Sequence, residues 1–216
     1  MNLRTPEELL AVGFSRSRVV MMNEAHHVMK RCMRTRDIGR RLLPVAHAAG
    51  VRHFAIEALR SHSFAQPDMQ RLVDGADELG WKVIPYEARR STTDMNDREE
   101  QQAHNLLEAF AALPQDSPLF VWCGWGHLYK HPRVDSDWRP MASRFWKLSG
   151  VEPFCIDQTV TVEAGPHRNA HWHELARSQT WRLGALGGTA GFLVADSPIP
   201  WPYVDAVLLS TENALE

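Results

Sequence analysis

Short apolar and β-branched runs recur roughly every 30 residues through most of the chain. Apolar runs of this length, bounded by polar residues, predict buried β-strands. Five such strands are predicted, at residues 19–22, 53–56, 82–85, 119–123 and 153–156. A later apolar run at 204–209 predicts a closing strand.

Amphipathic segments with helix start and stop signals separate these runs. Pro67 opens one of them, Gly50 and Gly80 each close one, and Pro114 stops another. Helices are thereby predicted at 35–50, 67–80, 97–114 and 138–150. Strands that alternate with helices are typical of a parallel sheet with helices on its faces. We therefore predict an α/β fold, a three-layer sandwich with a mostly parallel central sheet and helices on both faces.

The pattern changes over residues 165–200. This segment contains "GALGGTAG", ends within the proline cluster "SPIPWP" at 197–202, and is rich in glycine, proline and polar residues. Such a composition predicts a long loop or lid before the closing strand. A length of 216 residues suits one domain with a substantial core, so we predict a single domain over 1–216.

The charge balance argues against polyanionic partners. Lys and Arg number 24 against 26 Asp and Glu, so the net charge of −2 gives no basic footprint for nucleic acid or an anionic membrane. No signal-like or membrane-spanning apolar stretch occurs in the sequence, which predicts a cytoplasmic protein. The cysteines form no CxxC pair, which argues against a disulfide framework or a thiolate zinc site; they are Cys32, Cys123 and Cys155.

Titratable side chains follow the predicted strands. In an open parallel sheet, ligands bind at the carboxyl ends of the strands. Residues at these ends are Glu24, His26 and His27 after the first strand, then Glu57, Glu87, His127 and Asp157 after the next four in turn. Their coincidence at one edge predicts a functional site there.

Each of these residues also has a structural explanation. A single acid at a strand end is most often a helix cap or a solvated turn. Because neighbouring residues on a strand point to opposite faces, only one of His26 and His27 is expected in the site. Gly124 and Gly126 flank Trp125 and allow either a simple turn or close approach of a ligand.

Taken in order, these elements resemble a superfamily that joins erythromycin esterases, ChaN-like haem-uptake proteins and TraB/Tiki proteins. The matching elements span roughly residues 19 to 160 and are 23–27 ("NEAHH"), Glu57, 97–99 ("DRE") and 124–127 ("GWGH"). Asn23 stands where the family usually has glycine. His26 fits a Gly-x-x-His spacing and His27 a Glu-x-x-His spacing, so both stay candidates. At 216 residues the chain lacks room for the large helical insert of the erythromycin esterases.

The resemblance implies a hydrolase with two alternative mechanisms. In the first, His26 or His27 is the general base on a water, Glu24 or Glu57 orients that ring, and His127 polarises the carbonyl or protonates the leaving group. In the second, a divalent metal (Zn, Mn or Co) is bound by His26 or His27 together with carboxylates and His127; the candidate ligands are His26, His27, Glu57, Glu87 and His127.

The predicted substrate is a small-molecule ester or amide, or a peptide. Substrate-binding residues are predicted at Glu87, Arg98, Trp125 and Tyr129. Arg98 gains little from the helix dipole at a helix start, which favours an ion pair with a site glutamate. A non-catalytic alternative is haem or small-ligand binding of ChaN type, with Tyr129, His131 or a site histidine as axial ligand.

Three other motifs give weaker predictions. An H-x-H pair within His167, His171 and His173 would present two imidazoles to a metal if it lay on a strand, although a solvated loop is the commoner case. "GALGGTAG" lacks the Gly-Lys-Ser/Thr of a phosphate-binding loop. Cys123 lies inside a predicted strand, which favours core packing over a nucleophile.

Overall fold

The fold is described from a computed structural model covering residues 1–25, 29–58, 67–89, 94–134, 136–162 and 169–211, with no side chains described for 29–32. A sheet of seven strands runs through its centre. The strands are β1 Val19–Glu24, β2 His53–Ile56, β3 Lys82–Pro85, β4 Leu119–Gly124, β5 Phe154–Asp157, β6 Thr189–Leu193 and β7 Ala206–Ser210.

The strand order is β3-β2-β4-β1-β5-β7-β6. All neighbouring pairs are parallel except β6 and β7, which are antiparallel. In register, Glu24 of β1 lies opposite Gly124 of β4. The carboxyl ends of β1, β2, β3, β4, β5 and β7 therefore share one edge of the sheet.

Helices cover both faces of the sheet. They are α1 Pro6–Arg16, α2 Met29–Ala48, α3 Pro67–Glu78, α4 Met95–Ala111, α5 Met141–Ser149, α6 Ala170–Ser178 and α7 Thr180–Ala185. Along β1, Val19 and Met21 pack in one apolar cluster with α4, α5, α6 and α7. Val20 and Met22 pack in a second cluster with α1, α2 and α3. This alternation buries both faces and confirms the predicted α/β fold with helices on both sides of a mostly parallel sheet.

The segment 165–200 is not a simple loop. Its described part contains α6, α7 and the edge strand β6. The buried Trp172 and Ala176 lie four residues apart on α6, a helical spacing concealed by the surrounding polar residues. His171 and His173 also lie on α6, so they do not form the strand-borne H-x-H pair; His167 is outside the described residues.

Hydrogen bonds of the Asn23 side chain join the carboxyl ends of β1 and β5. Its Nδ2 donates to Oδ1 of Asp157 at 2.9 Å and to Oγ1 of Thr159 at 3.2 Å. Its Oδ1 accepts from the backbone N–H of Gln158 at 2.9 Å. Asn23 has no left-handed backbone, so its side chain is accommodated at this strand end without φ strain.

No helix in the described ranges is long and apolar enough to cross a membrane.

Candidate active site

Arg98 joins two carboxylates at the carboxyl edge of the sheet. It lies in the first turn of α4, where its Nη2 contacts Oε1 of Glu57 and donates to Oε2 of Glu87 at 2.6 Å. Its Nε also donates to Oε1 of Glu87 at 3.2 Å, and that oxygen accepts a 2.8 Å hydrogen bond from Gln102. The planar guanidinium thus holds the residues that follow β2 and β3 in one geometry.

Glu57 is fixed by its backbone as well as by Arg98. Its N–H donates to the carbonyl of Trp122 at 3.1 Å, which continues the β2–β4 pairing beyond the strand. Its Oε2 accepts from the N–H of Gly124 at 2.6 Å. Ala55 faces the α4 side of the sheet, and period-two alternation turns the Glu57 side chain to that same side.

His127 lies between two carboxylates. It belongs to a 3₁₀ turn, Trp125–Leu128, directly after β4. Its Nδ1 is 2.6 Å from Oε1 of Glu99, at ion-pair distance although off the line of a good hydrogen bond. Its Nε2 is 3.6 Å from Oε1 of Glu57. Only 6% of the His127 side chain is exposed, so both carboxylates act on it with little screening by water.

The pKa of His127 is raised from 6.5 to about 9. Burial is the largest single influence and lowers this pKa, but Glu57 and Glu99 together outweigh it, while the positive charge of Arg98 lowers it slightly. His127 is therefore an imidazolium at neutral pH. In that state it can donate a proton or a hydrogen bond, and it cannot act as a general base.

Glu99 is the buried counter-ion that sequence reasoning missed. Its side chain is fully buried, and its Oε2 accepts from the N–H of Met141 at the start of α5 at 2.6 Å. The buried positions on α4 are Glu99, Gln102, Ala103, Leu106 and Phe110. That spacing is an apolar helical stripe, and a glutamate at its first position is the signal that could have found the residue.

Glu24 belongs to a separate network on the other face. Its oxygens accept from Nε and Nη2 of Arg36 at 2.6 and 2.7 Å, and Oε2 also accepts from the indole of Trp122 at 2.9 Å. Nη1 of Arg36 donates to Asp68 at 2.8 Å. The structure thus places Glu24 against α2 and α3, and Glu57 against α4.

Aromatic rings line the side of the site beyond His127. Trp138 contacts the His127 ring edge-on, with ring centroids 6.3 Å apart, and lies parallel to Trp125 at 6.4 Å. Tyr129 is buried and its hydroxyl donates to Asp157 over 3.5 Å. Of the two predicted substrate-binding residues with aromatic rings, Trp125 is half-buried and Tyr129 is buried.

Comparisons with known proteins support the architecture. No family model matches the chain, and no curated protein matches it in sequence. A solved structure described as bacterial protein toxins matches with a TM-score of 0.50 and 16% identity, over 71% of this chain and 36% of its own. The type III effector HopBA1 matches with a TM-score of 0.50 and 14% identity, over 78% of this chain and 94% of its own.

The chain is similar in fold to bacterial toxin effector domains. RRSP, an effector domain of a MARTX toxin from Vibrio vulnificus, matches with a TM-score of 0.48 and 15% identity, over 72% of this chain and 36% of its own. The chain spans 36% of the length of the first of these structures. At these identities the likeness concerns the fold.

The described structure brings together four of the predicted site residues: Glu57, Glu87, Arg98 and His127. Trp125 and Tyr129 flank them, and Glu24 lies in the Arg36 network. The predicted histidines His26 and His27 are outside the described residues. Asp157 is fully buried, and burial raises its pKa although its hydrogen bonds with Asn23 and Thr159 oppose this, so it serves the β1–β5 junction.

The described donors do not suit a metal ion. Both oxygens of Glu57 are already engaged by Arg98 or Gly124, and the two nitrogens of His127 face the carboxylates of Glu57 and Glu99. Among the residues that the structure describes, no three His, Cys, Asp or Glu side chains are grouped as metal ligands.

Proposed function

We propose that this protein is a hydrolase that cleaves an ester or amide bond of a small molecule or peptide at the Glu57–Arg98–His127 site. The observation that carries the proposal is the buried ring of His127, held between the carboxylates of Glu57 and Glu99 at the carboxyl edge of a parallel sheet. These two carboxylates raise its pKa to about 9 against the effect of burial. Buried titratable groups with shifted pKa values cluster at functional sites. The resemblance to the erythromycin esterase, ChaN-like and TraB/Tiki superfamily supports the same class of reaction.

In the proposed reaction, His127 is the acid. Its Nδ1 faces Glu99, whereas Nε2 is 3.6 Å from Glu57, longer than a normal hydrogen bond. The Nε2 proton is therefore the one available to a substrate. It polarises the scissile carbonyl or passes to the leaving oxygen or nitrogen as the bond to carbon breaks.

The general base on water is assigned to His26 or His27, on the sequence position alone. Both residues follow Ala25, which directly follows the end of β1, and β1 is the immediate neighbour of β4 in the sheet. Glu57 lies after β2, on the other side of β4, and its two oxygens are engaged by Arg98 and Gly124. The half-buried Trp125 supplies an apolar surface for the substrate beside His127.

A metal-dependent reaction is not proposed, because Arg98 already supplies the positive charge between Glu57 and Glu87. Haem binding is not proposed either. The hydroxyl of Tyr129 is buried against Asp157, and His131 is exposed and contacts Trp146.

The test is a screen of chromogenic esters and fluorogenic amides and peptides with the wild-type protein, followed by two variants. His127→Gln should lower kcat/KM by roughly 100-fold or more, since general acids contribute on that order. Glu57→Gln should do the same, because it loosens both Arg98 and the ring of His127. His131→Gln, at an exposed histidine four residues further along, is the matched control and should keep full activity.

Folding of each variant is checked by circular dichroism. Full turnover by a folded His127→Gln protein would exclude the assigned role. No hydrolysis by the wild-type protein across all the ester, amide and peptide substrates would contradict the proposed class.

A further inference from the structure

A second pocket opens at the carboxyl end of β7, away from the Arg98 site. It lies between α6, α7 and the end of that strand and has a volume of about 350 Å³. Its walls include His173, Arg177, Thr180, Gly184, Ser210 and Thr211. Hydrogen-bond donors and a guanidinium thus surround a space of small-ligand size, and the described lining contains no carboxylate.

Ser210 connects the pocket to a second arginine. Its hydroxyl is 3.1 Å from Oγ1 of Thr189, which accepts a 2.7 Å hydrogen bond from Nη2 of Arg34. The backbone N–H of Ser210 is held by Oγ1 of Thr161 at 2.9 Å. Thr161, Thr189 and Ser210 are all buried, so the hydroxyl at the pocket wall has a fixed position.

Arg34 carries a positive charge that forms no direct ion pair with a described carboxylate. None of the described carboxylates lies within 4.0 Å of its guanidinium, and its buried Nε has no hydrogen-bond partner among the described residues. Burial lowers the pKa of Arg34, and the neighbouring Arg41 lowers it further, while Asp37 partly offsets both. A half-buried cation without a paired anion is unfavourable, and an anion nearby would relieve that cost.

We propose that this pocket binds the phosphate group of a small phosphorylated ligand. Arg177 would contact the phosphate oxygens directly, and the hydroxyls of Ser210 and Thr211 would donate to them. The hydroxyl of Thr180 already donates to the carbonyl of Arg177 at 2.8 Å and contributes to the wall of the pocket. Arg34 would not touch the phosphate. Its hydrogen bond to Thr189 would orient the hydroxyl of Thr189 toward Ser210, so that the hydroxyl of Ser210 can donate to the phosphate. The phosphate pocket lies at the end of β7, whereas the proposed hydrolytic site lies at the ends of β2 and β4. Failure of phosphate binding therefore leaves the proposed hydrolase activity unaffected, and the reverse also holds.

Binding of inorganic phosphate to the full chain is measured by calorimetry and by amide shifts in ¹H–¹⁵N NMR spectra. Chloride at matched ionic strength and pH is the reference. The expected result is saturable phosphate binding with the largest shifts at Thr180 and Thr211. Glycerol 3-phosphate, tested in parallel, should bind more tightly than free phosphate if the natural ligand is an organic phosphate, and equally if it is the free ion.

Two variants place the binding in this pocket. Arg177→Gln removes the direct cation and should weaken binding roughly tenfold or more. Gly184→Leu leaves every charge in place and should block the pocket, since a Cβ there meets no atom within 4 Å and extends into open space. Arg182→Gln is the control, because that arginine donates to Gln179 at 3.0 Å and does not line the pocket.

The proposal is overturned if phosphate binds no better than chloride. It is also overturned if Arg177→Gln and Arg182→Gln bind phosphate equally.

Discussion

The charge of His127 is decided by residues on three different elements. Glu57 follows β2, Glu99 lies on α4, and His127 itself follows β4. Burial would keep the ring neutral, but two carboxylates within 4 Å reverse that preference and raise its pKa to about 9. A histidine that is protonated at neutral pH suits acid catalysis and electrostatic stabilisation of an oxyanion.

Arg98 is expected to support both the structure and the activity of the site. In Arg98→Met, the carboxylates of Glu57 and Glu87 lose their shared cation, and the pKa of His127 should rise further because the repulsion from Arg98 is gone. With 28% of the arginine side chain exposed, we expect a loss of about 1–3 kcal/mol in the free energy of unfolding, and a large fall in kcat/KM.

Urea unfolding and kinetics measure both effects. Arg98→Lys should fall between the wild type and Arg98→Met, because one ammonium cannot reproduce the planar contacts. Arg41→Met removes an exposed pair with Glu7 and should cost under about 1 kcal/mol. An Arg98→Met protein as stable and active as the wild type would contradict the assignment.

The sequence predicted the residues at strand ends and Arg98 on α4, but not Glu99 on the same helix. Glu57, Glu87 and His127 were predictable because parallel strands bring their carboxyl ends to one edge. Glu99 lies at the first position of the buried stripe of α4, so only the helical spacing, and not a strand end, could have predicted it. Glu24 was grouped with Glu57, yet strand alternation turns it toward Arg36 on the opposite face.

At the scale of elements, the junction of β1 and β5 sets the edge on which the site is built. Asn23 satisfies three buried groups of the β5 end at once: Asp157, Gln158 and Thr159. These bonds also lower the pKa of Asp157 against the effect of its burial. The side chain therefore aligns the two strands as well as filling space.

Asn23→Ala should destabilise the protein by about 2–4 kcal/mol, because it leaves buried donors and acceptors without partners. Asn169→Ala is a matched control in which the same side chain is lost from the N-cap of α6, where it accepts from His171. That change should cost about 1 kcal/mol. Urea denaturation compares the two, and a smaller loss for Asn23→Ala than for Asn169→Ala would rule out this role.

Composition concealed β6 as well as the helices α6 and α7. The sequence of β6, Thr189–Leu193, follows a glycine run and contains Gly191, which weakens a strand prediction. A Cβ at Gly191 would lie 1.9 Å from the backbone oxygen of Val207. The glycine is there because two backbones approach closely, and only the pairing of β6 with β7 reveals this requirement.

At the scale of the whole molecule, the site links pH to global stability. The pKa of His127 is higher in the folded protein than its ordinary value of 6.5. Protonation of this ring therefore stabilises the folded state fully below pH 6.5, and this stabilisation is lost as the pH rises through about 9. The free energy of unfolding should fall by about 3 kcal/mol across that interval from this group alone.

Urea unfolding at several pH values tests this linkage, with His127→Gln as the reference that removes the titrating ring. The buried thiols of Cys123 and Cys155, whose pKa values are raised chiefly by burial, add a pH dependence near pH 9 that both proteins share. The difference between the two curves isolates His127. Parallel curves from pH 6 to 10 would show that the ring gains no proton affinity on folding.

The fold carries this site on a sheet whose overall form resembles bacterial toxin effector domains. That likeness concerns the fold, and the chemistry of the site is argued from its own side chains. The proposed acid catalysis depends on the protonation state of His127.

The most direct measurement is an NMR titration of ¹⁵N-histidine-labelled protein, with the His127 signal assigned from the His127→Gln variant. We predict that this ring titrates at a pKa of about 9 and that Glu99→Gln lowers this pKa. A titration at or below 6.5, unchanged in Glu99→Gln, would contradict the imidazolium on which the proposed acid catalysis depends.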